Sequence, residues 1–116
     1  MMAPGCPLAR MAKNLQTVAR RALTPCAAHD AFRFADGSSI RDLAGLRHAI
    51  AEKSVSLVTH HRAQYATWIE RILGDPALAR RLERAALRRG ATPESYRMEL
   101  VNVLDERIGK LKDRVI

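Results

Sequence analysis

The segment HHRAQYATWIERILGDPALARRLERA, residues 60–85, predicts two helices that meet at a sharp corner. Upstream of the corner, side chains of one helical face recur at steps of three and four: Val58, His61, Tyr65, Trp68 and Ile72. This period predicts a central helix over 54–73. The large apolar members of that face are the expected structural core: Trp68, Tyr65 and Ile72.

The corner itself follows from three consecutive residues. Gly74 suits the position just after a helix end, where a left-handed backbone is common. Asp75 can cap the next helix, and Pro76 can occupy its first turn, where no N–H is needed. We expect the second helix to run over 76–89, with Gly90 ending it.

Upstream of the central helix, the pattern changes to that of a hairpin. In AFRFADGSSI, residues 31–40, two phenylalanines alternate with Arg33, and Asp-Gly at 36–37 suits a two-residue turn. The segment 39–53 then predicts a helix that Ser39 caps.

The last helix, about 93–115, has a heptad-like apolar seam. We expect this seam to join two copies of the chain in a homodimer, and the alternative is that it packs on its own domain. The predicted self-association residues are Val101, Leu104, Ile108, Leu111 and Val115.

These elements predict a mainly α fold: a short N-terminal β-hairpin, then three to four packed helices, with the seam on the C-terminal one. Residues 30–116 are expected to form a single helical domain. Residues 1–29 carry basic but no acidic side chains before Asp30, which predicts a flexible or amphipathic arm. Within it, residues 8–23 suit weak peripheral contact with a membrane or a partner, and an organellar transit peptide is an alternative.

Composition limits the function classes. The 116 residues carry a net charge of +8, which favours acidic partners such as nucleic acid, anionic membrane or an acidic protein. The alternative explanation of this charge is that the chain comes from a bacterium whose proteins are generally basic and rich in Arg and Ala, with no acidic partner involved. No apolar run reaches the roughly 18 residues of a membrane span. Cys6 and Cys26 match no disulfide framework or zinc pattern, which indicates reduced thiols in the cytoplasm.

The second helix of the corner is the strongest functional feature. It contains one acidic residue, Glu83, and five arginines. These arginines are the candidate site for a partner or a polyanion: Arg80, Arg81, Arg84, Arg88 and Arg89. Its first turn lacks side chains that read bases, which disfavours sequence-specific DNA binding. The alternative is that these arginines pair with acids of the last helix, such as Glu99, Asp105 and Glu106.

A metal site and catalysis have weaker support. His60 and His61 are adjacent, so on a helix they point about 100° apart and are only weak metal or haem candidates. We expect His61 to lie half-buried beside Tyr65, its ring bonded to a carbonyl or carboxylate. The chain has no Gly-rich phosphate loop and no nucleophile elbow. We therefore predict no catalytic residues, no cofactor and no enzymatic activity.

Residues 32–87 resemble a family of uncharacterised small prokaryotic helical domains. The resemblance rests on FRFADG at the start, a histidine-led helix with Trp68-Ile69, the Gly74-Asp75 corner and Leu78-Ala79. This chain has Gln64-Tyr65 where the family has an Asp-Phe pair, and its His-to-Trp spacer is shorter. The resemblance implies an accessory or interaction role.

Together these features predict a non-enzymatic interaction or adaptor module that self-associates and docks to an acidic partner. The first alternative is a nonspecific nucleic-acid-binding protein that uses the arginine-rich helix 76–89. The second is a histidine-based metal or haem protein.

Overall fold

The structure, a computed structural model, describes residues 16–88 and 90–115, without the side chain of residue 115. It is mainly α with one N-terminal hairpin, as the sequence predicted. Helix α1 covers residues 16–23 and precedes a short 3₁₀ turn, Ala28–Asp30. The remaining elements, in chain order, are β1 Phe32–Arg33, β2 Ser39–Ile40, α2 Leu43–Glu52, α3 Val55–His60, α4 Tyr65–Trp68 with a π-helical turn Ile69–Leu73, α5 Pro76–Ala86 and α6 Pro93–Val115.

The hairpin is wider than the predicted two-residue turn. Its antiparallel strands pair Phe32 with Ile40, and residues 34–38 connect them. The connection is longer because Phe34 turns into the core, where its side chain is 4% exposed. Asp36 then closes the loop by accepting hydrogen bonds from the backbone N–H and the hydroxyl of Ser38, at 2.9 and 2.6 Å.

Helix α2 begins later than predicted. Asp42, not Ser39, is its cap: Asp42 Oδ1 accepts from the N–H of Gly45 at 2.8 Å. Ser39 cannot act as the cap because it is paired with Arg33 in the hairpin.

The predicted central helix is two helices. Helix α3 ends at His60, residues 61–64 form a turn, and α4 begins at Tyr65. The break coincides with a long-range contact, because the ring of His61 binds the backbone of Ala35 across 26 residues. Ser54 caps α3, and its hydroxyl accepts from the N–H of Leu57 at 3.3 Å.

The corner after α4 has the predicted caps. Gly74 has φ +71°, and Asp75 Oδ1 accepts from the N–H of Leu78 at 3.2 Å at the start of α5. Arg21 of α1 donates from Nε to the carbonyl of Ile72 at 2.8 Å, so α1 covers this helix end.

Part of the predicted arm therefore packs on the domain. Ala19 and Ala22 of α1 are fully buried in the core, and the backbone N–H of Cys26 donates to the backbone carbonyl of Arg41 at 2.8 Å. Residues 16–29 do not stand apart as the 1–29 boundary predicted. Residues 1–15, which include half of the proposed membrane-contacting stretch 8–23, lie outside the described residues.

The core has the predicted aromatic centre. Tyr65 is fully buried, Trp68 is 8% exposed, and Ile72 packs at the edge of the core. The indole N–H of Trp68 donates to the carbonyl of Asp30 at 2.7 Å, which ties α4 to the turn before the hairpin.

The seam of α6 is used within the chain. This helix packs against α2, α3 and α5, and Leu104 and Leu111 have no exposed side-chain surface. Val101 and Ile108 pack partly buried against the same core. The heptad-like period thus identified a face that the chain's own helices cover at Leu104 and Leu111, and the homodimer contact through this seam stays a prediction. The side chain of Val115 lies outside the described set.

Within the described residues, no helix combines the length and apolar character that crossing a membrane requires.

Candidate functional site

Helix α5 divides its arginines between two sides. On the side that faces α6, Arg81 Nη2 lies 2.9 Å from Glu106 Oε1, and Arg88 Nη2 lies 3.0 Å from Glu99 Oε2. These two guanidinium groups are thus paired with acids of the last helix, which was the alternative to polyanion binding. Such pairs reduce the charge that two of the five candidate arginines offer to a partner.

The third expected acid has a different partner. Asp105 accepts from Arg47 of α2, at 2.7 Å from Nε and 3.1 Å from Nη2. This pair joins α2 to α6 on another side of the helix, so no arginine of α5 is needed there.

The other side of α5 carries arginines without such partners. The side chains of Arg80 and Arg84 are exposed and form no ion pair or hydrogen bond with any described residue. Arg62, in the turn between α3 and α4, is likewise exposed and unpaired within the described part of the chain. Arg89, the fifth candidate, lies outside it.

These three arginines line one groove of about 570 Å³ between α5 and the α3–α4 turn. We call it the arginine groove. Its lining residues are Arg62, Ala63, Ala66, Arg80, Glu83, Arg84, Ala86 and Leu87.

The apolar part of the lining of the arginine groove consists of three alanines and Leu87. The side chain of Leu87 is 80% exposed. Apolar patches rimmed by charged groups are a feature of protein-binding surfaces, and Leu87 together with the three alanines forms such a patch. The groove therefore combines three unpaired guanidinium groups, one acid and an exposed leucine.

A second groove of about 470 Å³ adjoins the first and shares Ala63 with it. It is lined in part by Arg33, Arg71 and the edge of Trp68. Neither arginine side chain forms an ion pair within residues 16–88 and 90–115. The positive surface thus extends from α5 across α4 to the hairpin.

The histidines are not arranged as metal ligands. His61 is 5% exposed, and its Nε2 accepts from the N–H of Ala35 at 3.0 Å. Its Nδ1–H donates to the side-chain carbonyl of Gln64, so both ring nitrogens are engaged. The ring packs edge-on against Phe32 and Phe34. This matches the expected carbonyl bond, although the ring is more deeply buried than predicted.

His60 lies outside this arrangement. It is exposed, and its ring meets that of His61 edge-on with centroids 4.9 Å apart. No group of three or more His, Cys, Asp or Glu side chains that could hold a metal occurs in the part of the chain that the structure describes.

Two residues of the groove were missed by the sequence analysis. Leu87 follows Ala85 by two positions, which places it about 200° around the helix from the buried face. That offset was a usable signal, because a leucine outside the apolar stripe of an amphipathic helix is expected to be exposed. Arg62 gave no local signal, since its position depends on the turn that ends α3.

Comparison with known proteins returned no match among family models, curated sequences or solved structures. The resemblance over residues 32–87 to small prokaryotic helical domains thus stays a prediction from the quoted motifs.

Proposed function

We propose that this chain is a non-enzymatic interaction module that binds an acidic protein segment in the arginine groove. The observation that carries the proposal is the exposed Leu87 beside three guanidinium groups without acidic partners in the described residues. A segment with carboxylates around one apolar side chain would satisfy both features. Arginine is also enriched at protein interfaces, where its planar group forms paired hydrogen bonds with carboxylates.

A protein partner fits the groove better than a nucleic acid. Arg81 and Arg88, two of the arginines expected to contact phosphates, are already paired with α6. Single-stranded nucleic acids bind most tightly where aromatic side chains stack on their bases, and the apolar residues that line the groove are alanines and a leucine. The nucleic-acid interpretation is retained as an outcome of the test.

A second copy of the chain fits less well. Two residues of the seam expected to join two copies, Leu104 and Leu111, are buried within one chain. The segment 1–15 offers no complement either, because its charged residues are Arg10 and Lys13. The partner in this proposal is therefore a different protein. We place the interaction in the cytoplasm, where an unpaired thiol such as Cys26 stays reduced.

Fluorescence anisotropy with three labelled probes tests the proposal. The probes are a helical peptide with glutamates around a central leucine, the same peptide with serine in place of leucine, and a single-stranded oligonucleotide. We expect the first probe, the glutamate–leucine peptide, to bind most tightly. Leu87→Ala and Arg84→Ala are each expected to raise its Kd about tenfold. Both side chains are exposed, so these variants are expected to fold normally.

The matched control is Lys112→Ala. It removes the same unit of charge as Arg84→Ala, but from an exposed position near the end of α6. Lys112 lies on the order of 20 Å along α6 from Glu99, which pairs with Arg88 just after the end of α5. We expect no change in Kd. Tighter binding of the oligonucleotide, with steep salt dependence and no effect of Leu87→Ala, would favour the nucleic-acid function instead.

A further inference from the structure

The hydroxyl of Tyr96 is a buried polar group without a hydrogen-bond partner among the described residues. Tyr96 lies in the first turns of α6 and is 6% exposed, and its Oη has no hydrogen bond with any described residue. The other tyrosine differs, because Tyr65 Oη donates to the carbonyl of Val58 at 2.7 Å. Buried hydroxyl groups are nearly always hydrogen-bonded, so the orphan hydroxyl requires an explanation.

A small pocket of about 80 Å³ lies at this position. Tyr96 and Thr59 line it together with Arg62 and Ala86, and the last two residues also line the arginine groove. The groove and the pocket are therefore neighbours with Arg62 between them. The second arginine of the pocket, Arg88, is already paired with Glu99.

Electrostatics make Tyr96 a hydrogen-bond donor and not a charged group. Burial raises the pKa of Tyr96 to about 12; the positive charge of Arg62 lowers it, and the negative charge of Glu99 raises it. The hydroxyl is thus protonated at neutral pH. Arg62 is also near enough to act on it electrostatically.

We propose that the pocket receives one carboxylate of the partner, an aspartate or glutamate side chain that accepts from Tyr96 Oη and pairs with Arg62. This inference rests on the proposed function and names the residue type that anchors the partner. The hydroxyl is closed to water in the free chain. Entry of the carboxylate therefore requires side chains that line the pocket to move, and we expect Arg62 to move because its side chain is exposed.

The chemistry favours a carboxylate over the other anions. A pocket of about 80 Å³ is too small for a nucleobase or an aromatic ring. One unpaired guanidinium and one neutral hydroxyl match the two oxygens and single charge of a carboxylate. The single positive charge of Arg62 would leave one charge of a phosphate dianion unneutralised. Glu99 would repel that charge, since it lies close enough to raise the pKa of the same hydroxyl.

Tyr96→Phe tests the pocket, because it removes only the orphan hydroxyl. We expect the Kd of the glutamate–leucine peptide to rise about tenfold, the effect of one lost hydrogen bond to a charged group. We expect the urea midpoint to stay the same or rise, since the fold loses no hydrogen bond. A loss of affinity without a loss of stability is not expected of a tyrosine that only packs in the core.

Tyr65→Phe is the matched control. It also removes one buried tyrosine hydroxyl, but that hydroxyl is bonded to Val58. We expect a lower urea midpoint and an unchanged Kd. Unchanged peptide affinity in Tyr96→Phe, with Leu87→Ala still weakened, would overturn the carboxylate pocket and leave the arginine groove intact.

A titration with sodium acetate at constant ionic strength separates the pocket from the groove. We expect the Arg62 side-chain N–H signal to shift and saturate in the wild-type chain but not in Tyr96→Phe. This result is expected even if the wild-type chain fails to bind the peptide, which would refute the proposed function alone. No saturable shift with acetate, or a saturable shift only with inorganic phosphate, would overturn the assignment of the pocket to a carboxylate.

Discussion

Asp75 and Arg107 form a two-bond ion pair inside the fold. Arg107 Nε donates to Asp75 Oδ2, and Arg107 Nη2 donates to Oδ1, both at 2.8 Å. The Asp75 side chain is 1% exposed and that of Arg107 is 12% exposed. Because Asp75 also caps α5, this pair fixes the corner between the π-helical turn and α5 against the last helix.

Arg107→Ala is expected to destabilise the fold by about 3–5 kcal/mol, because it leaves the Asp75 carboxylate buried without its partner. Urea denaturation measures the change. Arg81→Ala is the control: it breaks another α5–α6 ion pair, but Glu106 is 70% exposed, so the loss is expected to stay within about 1 kcal/mol. Similar losses in the two variants would contradict the role assigned to Asp75 and Arg107.

Gly74→Ala is expected to cost about 1–2 kcal/mol, since Gly74 has φ +71° and an alanine is strained there. A Cβ would also lie 3.0 Å from Arg21 Nη1. Gly109→Ala provides the contrast. Gly109 lies within α6, and a new Cβ there has no neighbour within 4 Å. Gly109→Ala is therefore expected to raise the free energy of unfolding by up to about 1 kcal/mol. If thermal melts give both variants the same midpoint, the left-handed corner is wrong.

His61→Ala is expected to lower the free energy of unfolding by about 1–3 kcal/mol, because the N–H of Ala35 loses its acceptor. His60→Ala is expected to change it by no more than about 0.5 kcal/mol, since His60 is exposed. Urea titrations compare the two histidines.

The same variants test the weak metal hypothesis. We expect added zinc to leave the melting temperature of the wild-type chain unchanged, because both ring nitrogens of His61 are engaged. A zinc-dependent rise in the wild type that disappears in His61→Ala would restore the metal hypothesis.

Light scattering across a range of concentrations is expected to give a mass near 12.9 kDa. Leu104 and Leu111 are enclosed by the chain's own helices, so they offer no surface to a second copy. A concentration-dependent mass of twice that value, reduced by Val101→Glu or Ile108→Glu without loss of fold, would support the self-association that the heptad pattern predicted.

The sequence predicted the features that local rules control. The corner at Gly74, Asp75 and Pro76 was predicted correctly, because a left-handed glycine, a capping side chain and an N-terminal proline act within one turn of their own backbone. The α content and the aromatic centre at Trp68 followed from periodicity in the same way.

Long-range contacts account for what the sequence analysis got wrong. The break at 61–64 coincides with the bond between His61 and Ala35, and no periodicity within 54–73 reports that bond. The cap of α2 shifted to Asp42 because the hairpin pairs Ser39. Each of these two misses reflects a tertiary contact that outweighs a local preference.

The candidate site was predicted in part for the same reason. The sequence placed five arginines on or beside one helix, but which of them are free depends on where α6 lies. Arg81 and Arg88 meet its acids, while Arg84 faces the groove. Tyr96 gave no signal, since the absence of a hydrogen-bond partner is a property of the packed structure.

The most direct measurement is an NMR titration of ¹⁵N-labelled protein with the glutamate–leucine peptide. We predict that the largest amide shifts fall within 62–66 and 80–87, the two segments that contain the residues lining the arginine groove, and that these shifts become smaller together in Leu87→Ala. Shifts confined to the basic end of α6, residues 110–114, or the absence of saturable shifts, would contradict the account.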